Sequence, residues 1–468
     1  MTIGLFFAGQ VSAQESWSLA KCIEYARLNN LSVKQAQYTI ENAKLDNQWN
    51  QFSRLPTVSG RASAGYQFGR TIDPFSNTFV TERVGFNSYG VDASMTLYAG
   101  NRINNSIKQS KIDLESAHLQ AQATVNDISL SIANAYLNIL LAQEQLDNAQ
   151  NRLRLSQNQL EQTDKLINAG TLPPNDRLDI VAQIAIDEQG IIEAQNLVTT
   201  GYLNLKQLME IDPNTDIQIV RPDEALFQDM DAAQLYNLDK VYSAALQTQP
   251  GIRAADLDLE SAKLGENIAR GSFLPTLSLF GGLSTNYSTA AKNPIFGLER
   301  FPTTIYFDDV PTVVDVEQFT SIGTENISFT DQINENFGQN FGVSLGIPIY
   351  SNHQNKINLE RARLATLNTE VTNRQLRQQL KSDVQLAITN ARASSENLKA
   401  AQRSLEATEA AFDNAQKRFD LGAINTLEFI TARNNYDISQ VELIRSRYQH
   451  LFNLKIIDFY LGNVIQLD

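Results

Sequence analysis

Arg54-Leu55-Pro56-Thr57-Val58-Ser59 returns later in the chain as Phe273-Leu274-Pro275-Thr276-Leu277-Ser278, and this echo decides how the sequence is read. Upstream, Ala43-Lys44-Leu45 returns as Ala262-Lys263-Leu264 at the same offset of 219 positions. Downstream, Gly90-Val91 through Leu97-Tyr98 returns as Gly342-Val343 through Ile349-Tyr350, now at an offset of 252. The chain is an internal repeat. Its offset grows by 33 residues between the two matches, so the second copy carries an insertion, roughly Ser288 to Asn336. Each copy reads helix, strand, loop, strand, very long helix, turn, helix.

The long helices follow from what the sequence omits. Neither Gly nor Pro occurs from Asn101 to Ala169 or from His353 to Leu421. At about 1.5 Å per residue each run would extend roughly 100 Å. Such length means a coiled coil, a membrane span or a repeat, and these runs are too polar for lipid. Val125, Ile132, Ile139, Leu146, Leu153, Leu160 and Ile167 fall at seven-residue steps. Smaller residues stand three places on: Ala135, Ala142, Ala149, Ser156 and Thr163, after a first Ile128. The second copy has Val384, Ala391, Leu398, Leu405, Phe412 and Phe419, with Ala387, Ser394, Ala401, Thr408 and Ala415. A sustained seven-residue seam predicts supercoiled helices, and its small members let a neighbouring helix come close.

The segments between helices alternate with period two, the signature of strands. Val343, Leu345, Ile347 and Ile349 share one face, with Gly342, Ser344, Gly346 and Pro348 on the other. Val91, Ala93, Met95 and Leu97 likewise oppose Asp92, Ser94 and Thr96, and Ala62, Ala64, Tyr66 and Phe68 oppose Arg61, Ser63, Gly65 and Gln67. Strands of this length, apolar outside and polar inside, fit a transmembrane barrel. Tyr66, Phe68, Tyr89, Tyr98, Tyr287 and Tyr350 are expected near strand ends, where aromatic girdles sit. Four strands leave two open edges, which hydrocarbon does not tolerate. Closure must come from other copies of the chain, and three copies would supply twelve strands.

Composition narrows the function classes. With 38 Lys+Arg against 52 Asp+Glu the net charge is −14, and an acidic chain lacks the cations that nucleic-acid binding requires. Cys22 stands alone, so no disulfide framework exists, and it is not expected to carry a lipid. His118, His353 and His450 are scattered, with no partner at a metal-ligand spacing. There is no phosphate loop and no nucleophile elbow, so the chain reads as a non-enzyme with no catalytic, cofactor-binding or metal residues. Met1 to Ala13 reads as a signal peptide, ending in small residues at Val11-Ser12-Ala13. Beyond it no run of 18 apolar residues occurs.

From Trp17 to Gly462 the chain resembles the TolC-like outer-membrane efflux proteins. The resemblance rests on the Trp17-Ser18-Leu19-Ala20 opening, the Leu-Pro-Thr strand starts, the duplication, and above all the two helical tips. Phe419-Asp420-Leu421-Gly422-Ala423-Ile424-Asn425-Thr426-Leu427-Glu428 is similar to the family's helix-turn-helix signature. Ile167-Asn168-Ala169-Gly170-Thr171-Leu172-Pro173-Pro174-Asn175-Asp176 is its counterpart in the first copy. The resemblance implies a mainly α fold with transmembrane β-strands. A homotrimer would form a 12-stranded β-barrel in the outer membrane of a Gram-negative bacterium and a 12-helix α-barrel in the periplasm. It implies a passive export duct of a tripartite efflux or type I secretion system, with no cofactor. Its partners would be outer-membrane lipid, a periplasmic adaptor (membrane fusion protein) and, through it, an inner-membrane pump. The rival reading is a periplasmic coiled-coil scaffold without a channel.

The expected organisation is a signal peptide (1–13), a first repeat (14–236) and a second (237–468). In the first repeat, strands fall at about 56–68 and 87–98, a long helix at about 101–169, a tip at 170–175 and a collar segment at 212–236. In the second, strands fall at about 275–287 and 337–350, a long helix at about 353–421 and a tip at 422–427. Gly170 and Gly422 suit left-handed helix caps, and Pro173-Pro174 restarts the next helix. Thr171, Leu172, Ala423, Ile424 and Asn425, with the two glycines, would meet the adaptor. By resemblance Glu428 would line the pore constriction as a ring favouring cations, with Thr431 where the family has a second acid. Asp176 and Asp179 are the first-copy candidates.

Overall fold

Pro56 and Pro275 each stand one residue before a strand. Proline has no N–H for the helix ladder and pushes its predecessor out of helical conformation, so both copies switch period there. The computed structural model describes residues 16–72, 79–81, 83–221 and 236–463. The expected signal peptide and residues 222–235 of the expected collar lie outside the described residues.

The first repeat runs β1 (Ser16–Trp17), α1 (Leu19–Asn29), α2 (Leu31–Phe52), β2 (Thr57–Gln67), β3 (Thr71–Ile72), β4 (Phe79–Val80), β5 (Val84–Ala99), α3 (Arg102–Asn168), α4 (Asp176–Met209) and β6 (Gln218–Ile219). The second runs α5 (Leu238–Thr248), α6 (Pro250–Gly271), β7 (Thr276–Ser288), β8 (Lys292–Phe307), β9 (Val310–Asn326), α7 (Phe329–Glu335), β10 (Gly338–Gly346), α8 (Gln354–Asp420) and α9 (Thr426–Leu461). The chain divides into two compact units. One takes Asp46–Gln109 and Lys263–Leu364; the other takes Ser110–Ala262, Ala365–Asp468 and the residues up to Leu45. Among the described residues no helix is long and apolar enough to cross a membrane.

The first of these units is built on a four-stranded antiparallel sheet in the order β10-β7-β5-β2. Its register places Val58 opposite Ala93, Val91 opposite Leu283, and Leu279 between Met95 and Val343. Directly opposed residues share a face, so one face is mainly apolar, with Asn87, Thr285 and Gln339 toward one end. The other carries Ser59 beside Asp92, Ser63 beside Ser88, and Gly282 between Asp92 and Asn340. A bulge at Leu97 breaks the period: Thr96 faces Ser278, yet Tyr98 faces Leu277, which brings Tyr98 to the apolar side.

Three expectations for this unit are corrected. β5 begins at Val84, three residues before the expected start, so Tyr89 sits within the strand opposite Ala62 and marks no end. β10 stops at Gly346, short of the expected Tyr350; Pro348 cannot donate to a ladder. The insertion expected as a loop is largely a hairpin, β8 with β9, paired from Lys292↔Asn326 to Phe307↔Val310. Its two-residue turn, Asp308-Asp309, takes positive φ at both positions (46° and 61°), the mirror-image turn that matches strand twist. The hairpin root is held by Gln332 of α7. Its amide donates to the Ser288 and Ile327 carbonyls and accepts from the Ser288 N–H at 2.9 to 3.1 Å.

The other unit contains the coiled coil. Of the α3 seam, Ile132 and Ile139 are fully buried with Tyr136 and Leu140, against Leu205 and Met209 of α4 and Leu443 and Leu451 of α9. Closer to the tip the burial shifts to the small residues: Ala142, Ala149, Ser156 and Thr163 are buried while Leu146, Leu153, Leu160 and Ile167 are half-buried. The small side chains therefore mark the line of closest helix approach, as knobs-in-holes packing requires. Cys22 is buried in α1 within the same core. Burial pushes its thiol up to about 12, against a weaker opposing pull from Lys21.

Candidate functional site

Both long helices end in the same hydrogen-bonded device. Gly170 (φ 78°) donates to the Ile167 carbonyl at 2.9 Å and Thr171 N–H to Leu166 at 3.0 Å. Gly422 (φ 68°) donates to Phe419 at 2.8 Å and Ala423 N–H to Arg418 at 2.8 Å. This pairing satisfies carbonyls that the helix end would leave bare, and it needs a left-handed residue at the turn, the conformation in which glycine meets no Cβ clash. The restarts differ. Asn425 caps α9, its side chain accepting from the Glu428 N–H at 2.8 Å. Asn175 makes no side-chain cap on α4, whose first turn carries Asp176 and Asp179.

The exposed set at the tips is not the one expected. Ile424 is only 7% exposed and joins an aromatic cluster of Phe412, Phe419 and Phe429, against which Leu172 also packs. Phe419 and Phe429 stack with ring centroids 4.8 Å apart. Both residues therefore support the tip from beneath. Leu421 (84%) and Leu427 (71%) instead present apolar surface to solvent beside exposed Thr171, Ala423 and Asn425. Leu421 lies two places past the Phe412–Phe419 seam, off the buried stripe, and that spacing was the available signal.

Glu428 is exposed in the first turn of α9 and forms an ion pair with Arg418 of α8 at 3.1 Å. The Thr431 hydroxyl donates to the Leu427 carbonyl at 2.8 Å, so its donor serves the helix. Near the same ends Arg177 meets Asp164 at 3.1 Å, and the Gln162 amide donates to Asp420 at 2.7 Å, tying α3 to α8.

Sequence reasoning missed a buried ionic cluster in the same unit. Arg433 of α9 is 1% exposed. Its guanidinium donates to Ser156 Oγ at 2.7 Å, to the Arg152 carbonyl at 2.8 Å and to Asp187 at 3.1 Å. Asp187 of α4 also accepts from Gln183 at 3.0 Å and from the Ser156 hydroxyl. Arg152 of α3 reaches Asp437 at 3.0 Å and Asp187 at 3.4 Å, and Arg433 lies 3.6 Å from Asp437. Burial raises the Asp437 carboxyl despite the two arginines that pull it down. Two arginines and two aspartates thus balance in charge and join α3, α4 and α9. The signal was present: Phe429, Arg433 and Asp437 fall on one helical stripe, so a charged pair sits where the pattern demands core. A buried pair of this kind contributes little net stability over an apolar replacement, yet leaving one partner alone costs about 3–5 kcal/mol. Removing any one of the four side chains would therefore leave a buried charge in excess.

Among the described residues no group of three or more His, Cys, Asp or Glu is placed to hold a metal. The site's features are structural caps, exposed apolar tips, two exposed ion pairs and a buried charge cluster.

The model of the outer membrane efflux protein family matches residues 22–209 and 241–463. The cation efflux system protein CusC of Escherichia coli K12 is 22% identical over 442 residues, which cover 92% of this chain and 83% of that protein. A crystal structure of CusC superposes with a TM-score of 0.77 at 19% identity, covering 96% of this chain and 93% of that one. The outer membrane protein VceC of Vibrio cholerae superposes with a TM-score of 0.75 at 14% identity, covering 96% and 97%.

Proposed function

The chain belongs to the outer membrane efflux protein family, and we propose that three copies of it close one channel that docks through its helical tips. It is an outer-membrane efflux channel, which sets aside the scaffold reading. The observation that carries the trimer is the four-stranded sheet, whose edge strands β2 and β10 have no further strand partner among the described residues and whose one face is mainly apolar. In lipid those edges need partners, and β10 of one copy antiparallel to β2 of the next supplies them. Three copies give twelve strands in the outer membrane and, counting α3, α4, α8 and α9 of each, twelve long helices in the periplasm. A second feature supports it: Ile357, Leu364 and Val371 lie at seven-residue steps on α8 and are all exposed in the single chain, a seam lacking its partner helix.

The tips would meet a periplasmic adaptor, itself joined to an inner-membrane pump that supplies the energy and chooses the cargo. Leu421 and Leu427, with Thr171, Ala423, Asn425 and the backbone turned at Gly170 and Gly422, form the contact, while Leu172 and Ile424 brace it from the core. Glu428 lines the constriction as a ring of three, its charge offset by Arg418, with Thr431, Asp176 and Asp179 as neighbours in the first turns. The deciding measurement is the detergent-corrected molar mass of protein extracted from outer membranes, together with conductance in planar bilayers. Three times the mature chain and a stable conductance are expected. A monomer that stays soluble without detergent would overturn the reading.

A further inference from the structure

The four strands of the sheet contain one cation and one anion, Arg61 in β2 and Asp92 in β5. They are paired with each other at 2.7 Å, on the polar face. The arrangement uses glycines. Arg61 lies across Gly90, where an added Cβ would sit 3.4 Å from its Nε. Asp92 and Asn340 lie over Gly282, where a Cβ would sit 3.2 Å and 2.6 Å from their Oδ1 atoms. A row of Arg61, Asp92 and Asn340 therefore crosses all four strands at one level, held flat against the wall by positions that carry no side chain. The rest of the polar face is uncharged: Ser59, Ser63, Ser94, Ser278, Asn340 and Ser344 recur along it.

We infer that Arg61 and Asp92 form a self-neutralising charge belt in the barrel lumen, which keeps the outer-membrane stretch free of net fixed charge, separately from the tips. The inference rests on the trimeric channel proposed above. The apolar face must meet lipid, so this face meets the pore water, and three copies repeat the belt around it. As built, each Arg61 cancels an Asp92, so cationic and anionic cargo meet no net fixed charge at this level. Removing one partner unmasks three like charges. For unit charges about 12 Å from the axis at 0.1 M salt, Coulomb's law with screening gives a change of about threefold in the cation-to-anion permeability ratio.

The test is the reversal potential of reconstituted channels in a salt gradient, for the wild type, Arg61→Gln, Asp92→Asn and the double variant. Arg61→Gln is expected to shift the ratio about threefold toward cations and Asp92→Asn about threefold toward anions. The double variant is expected to return to the wild-type value, and both shifts should vanish at 1 M salt, where the screening length is about 3 Å. A merely structural cross-strand tie would not produce shifts of opposite sign that cancel. Single variants that conduct as trimers with unchanged reversal potentials overturn the belt and leave the channel standing. A wild-type protein that forms no conducting trimer overturns the channel itself.

Discussion

Arg433→Met tests the buried cluster where the physical argument is sharpest. The substitution keeps a long apolar stem but removes the guanidinium that meets Ser156, Asp187 and the Arg152 carbonyl. Asp187 and Asp437 are then left with Arg152 alone, at 3.4 and 3.0 Å. One carboxylate in excess, buried where burial already raises the Asp437 carboxyl, should cost about 3 kcal/mol, the low end for an orphaned buried charge because Arg152 is shared. A large membrane protein commonly unfolds irreversibly, so the assay is local: hydrogen exchange at the α9 amides following Arg433. A loss of about 3 kcal/mol predicts roughly hundredfold faster exchange there. Arg433→Met with Asp437→Leu removes one charge of each sign and leaves Arg152 with Asp187. That pair should recover more than half of the loss, a coupling read from the double-mutant cycle. A single variant exchanging less than tenfold faster, or a double variant worse than the sum of its parts, would refute the reasoning.

The remaining expectations are briefer. Cys22, buried in α1 with its thiol pushed up to about 12, should resist maleimide labelling at pH 7 until the protein is denatured; rapid labelling of folded protein would contradict that burial. Asp256 of α6 would be raised by burial, but hydrogen bonds from Asn373 and Arg377 and the Arg377 charge outweigh this and lower its pKa. With a depressed folded value, its contribution is present above the unfolded pKa of about 3.9 and is lost as pH falls through the folded one. Exchange at the α6–α8 contact should therefore quicken only below about pH 4, and Asp256→Asn should abolish that step. Leu421→Ser and Leu427→Ser should each weaken adaptor binding about tenfold at unchanged tip exchange rates, whereas Ile424→Ser should quicken tip exchange. Equal effects on both readouts would count against the division between surface and support. Glu428→Gln should move the reversal potential toward anions, and Arg418→Gln should move it toward cations by unmasking Glu428; no movement in either removes the ring.

The fold was legible where the physics is local. Proline at Pro56 and Pro275, glycine at Gly170 and Gly422, and the seven-residue and two-residue periods each act within a few residues. The site was legible only in part. The caps at Gly170 and Gly422 follow from backbone chemistry, but the Asn425 cap on α9 emerged only in the structure, and the Glu428–Arg418 pair joins two helices across a turn. The β8–β9 hairpin escaped because its turn is Asp308-Asp309, without the glycine that usually announces positive φ. Leu172 and Ile424 lie in turns, where side chains are expected at the surface, and only the cluster of Phe412, Phe419 and Phe429 shows otherwise.

By itself the sequence determined the duplication, the long helices and the strands, and the open strand edges raised the expectation of further copies of the chain. Each of these is a periodicity or an unpaired edge, and such properties belong to single elements. Tertiary structure decided whom the buried charges meet. Arg152, Asp187 and Arg433 stand far apart in the chain, and nothing in their local spacing says that they converge. Their placement follows from helix packing, because a desolvated charge must find its counter-charge on whichever helix the seams bring alongside.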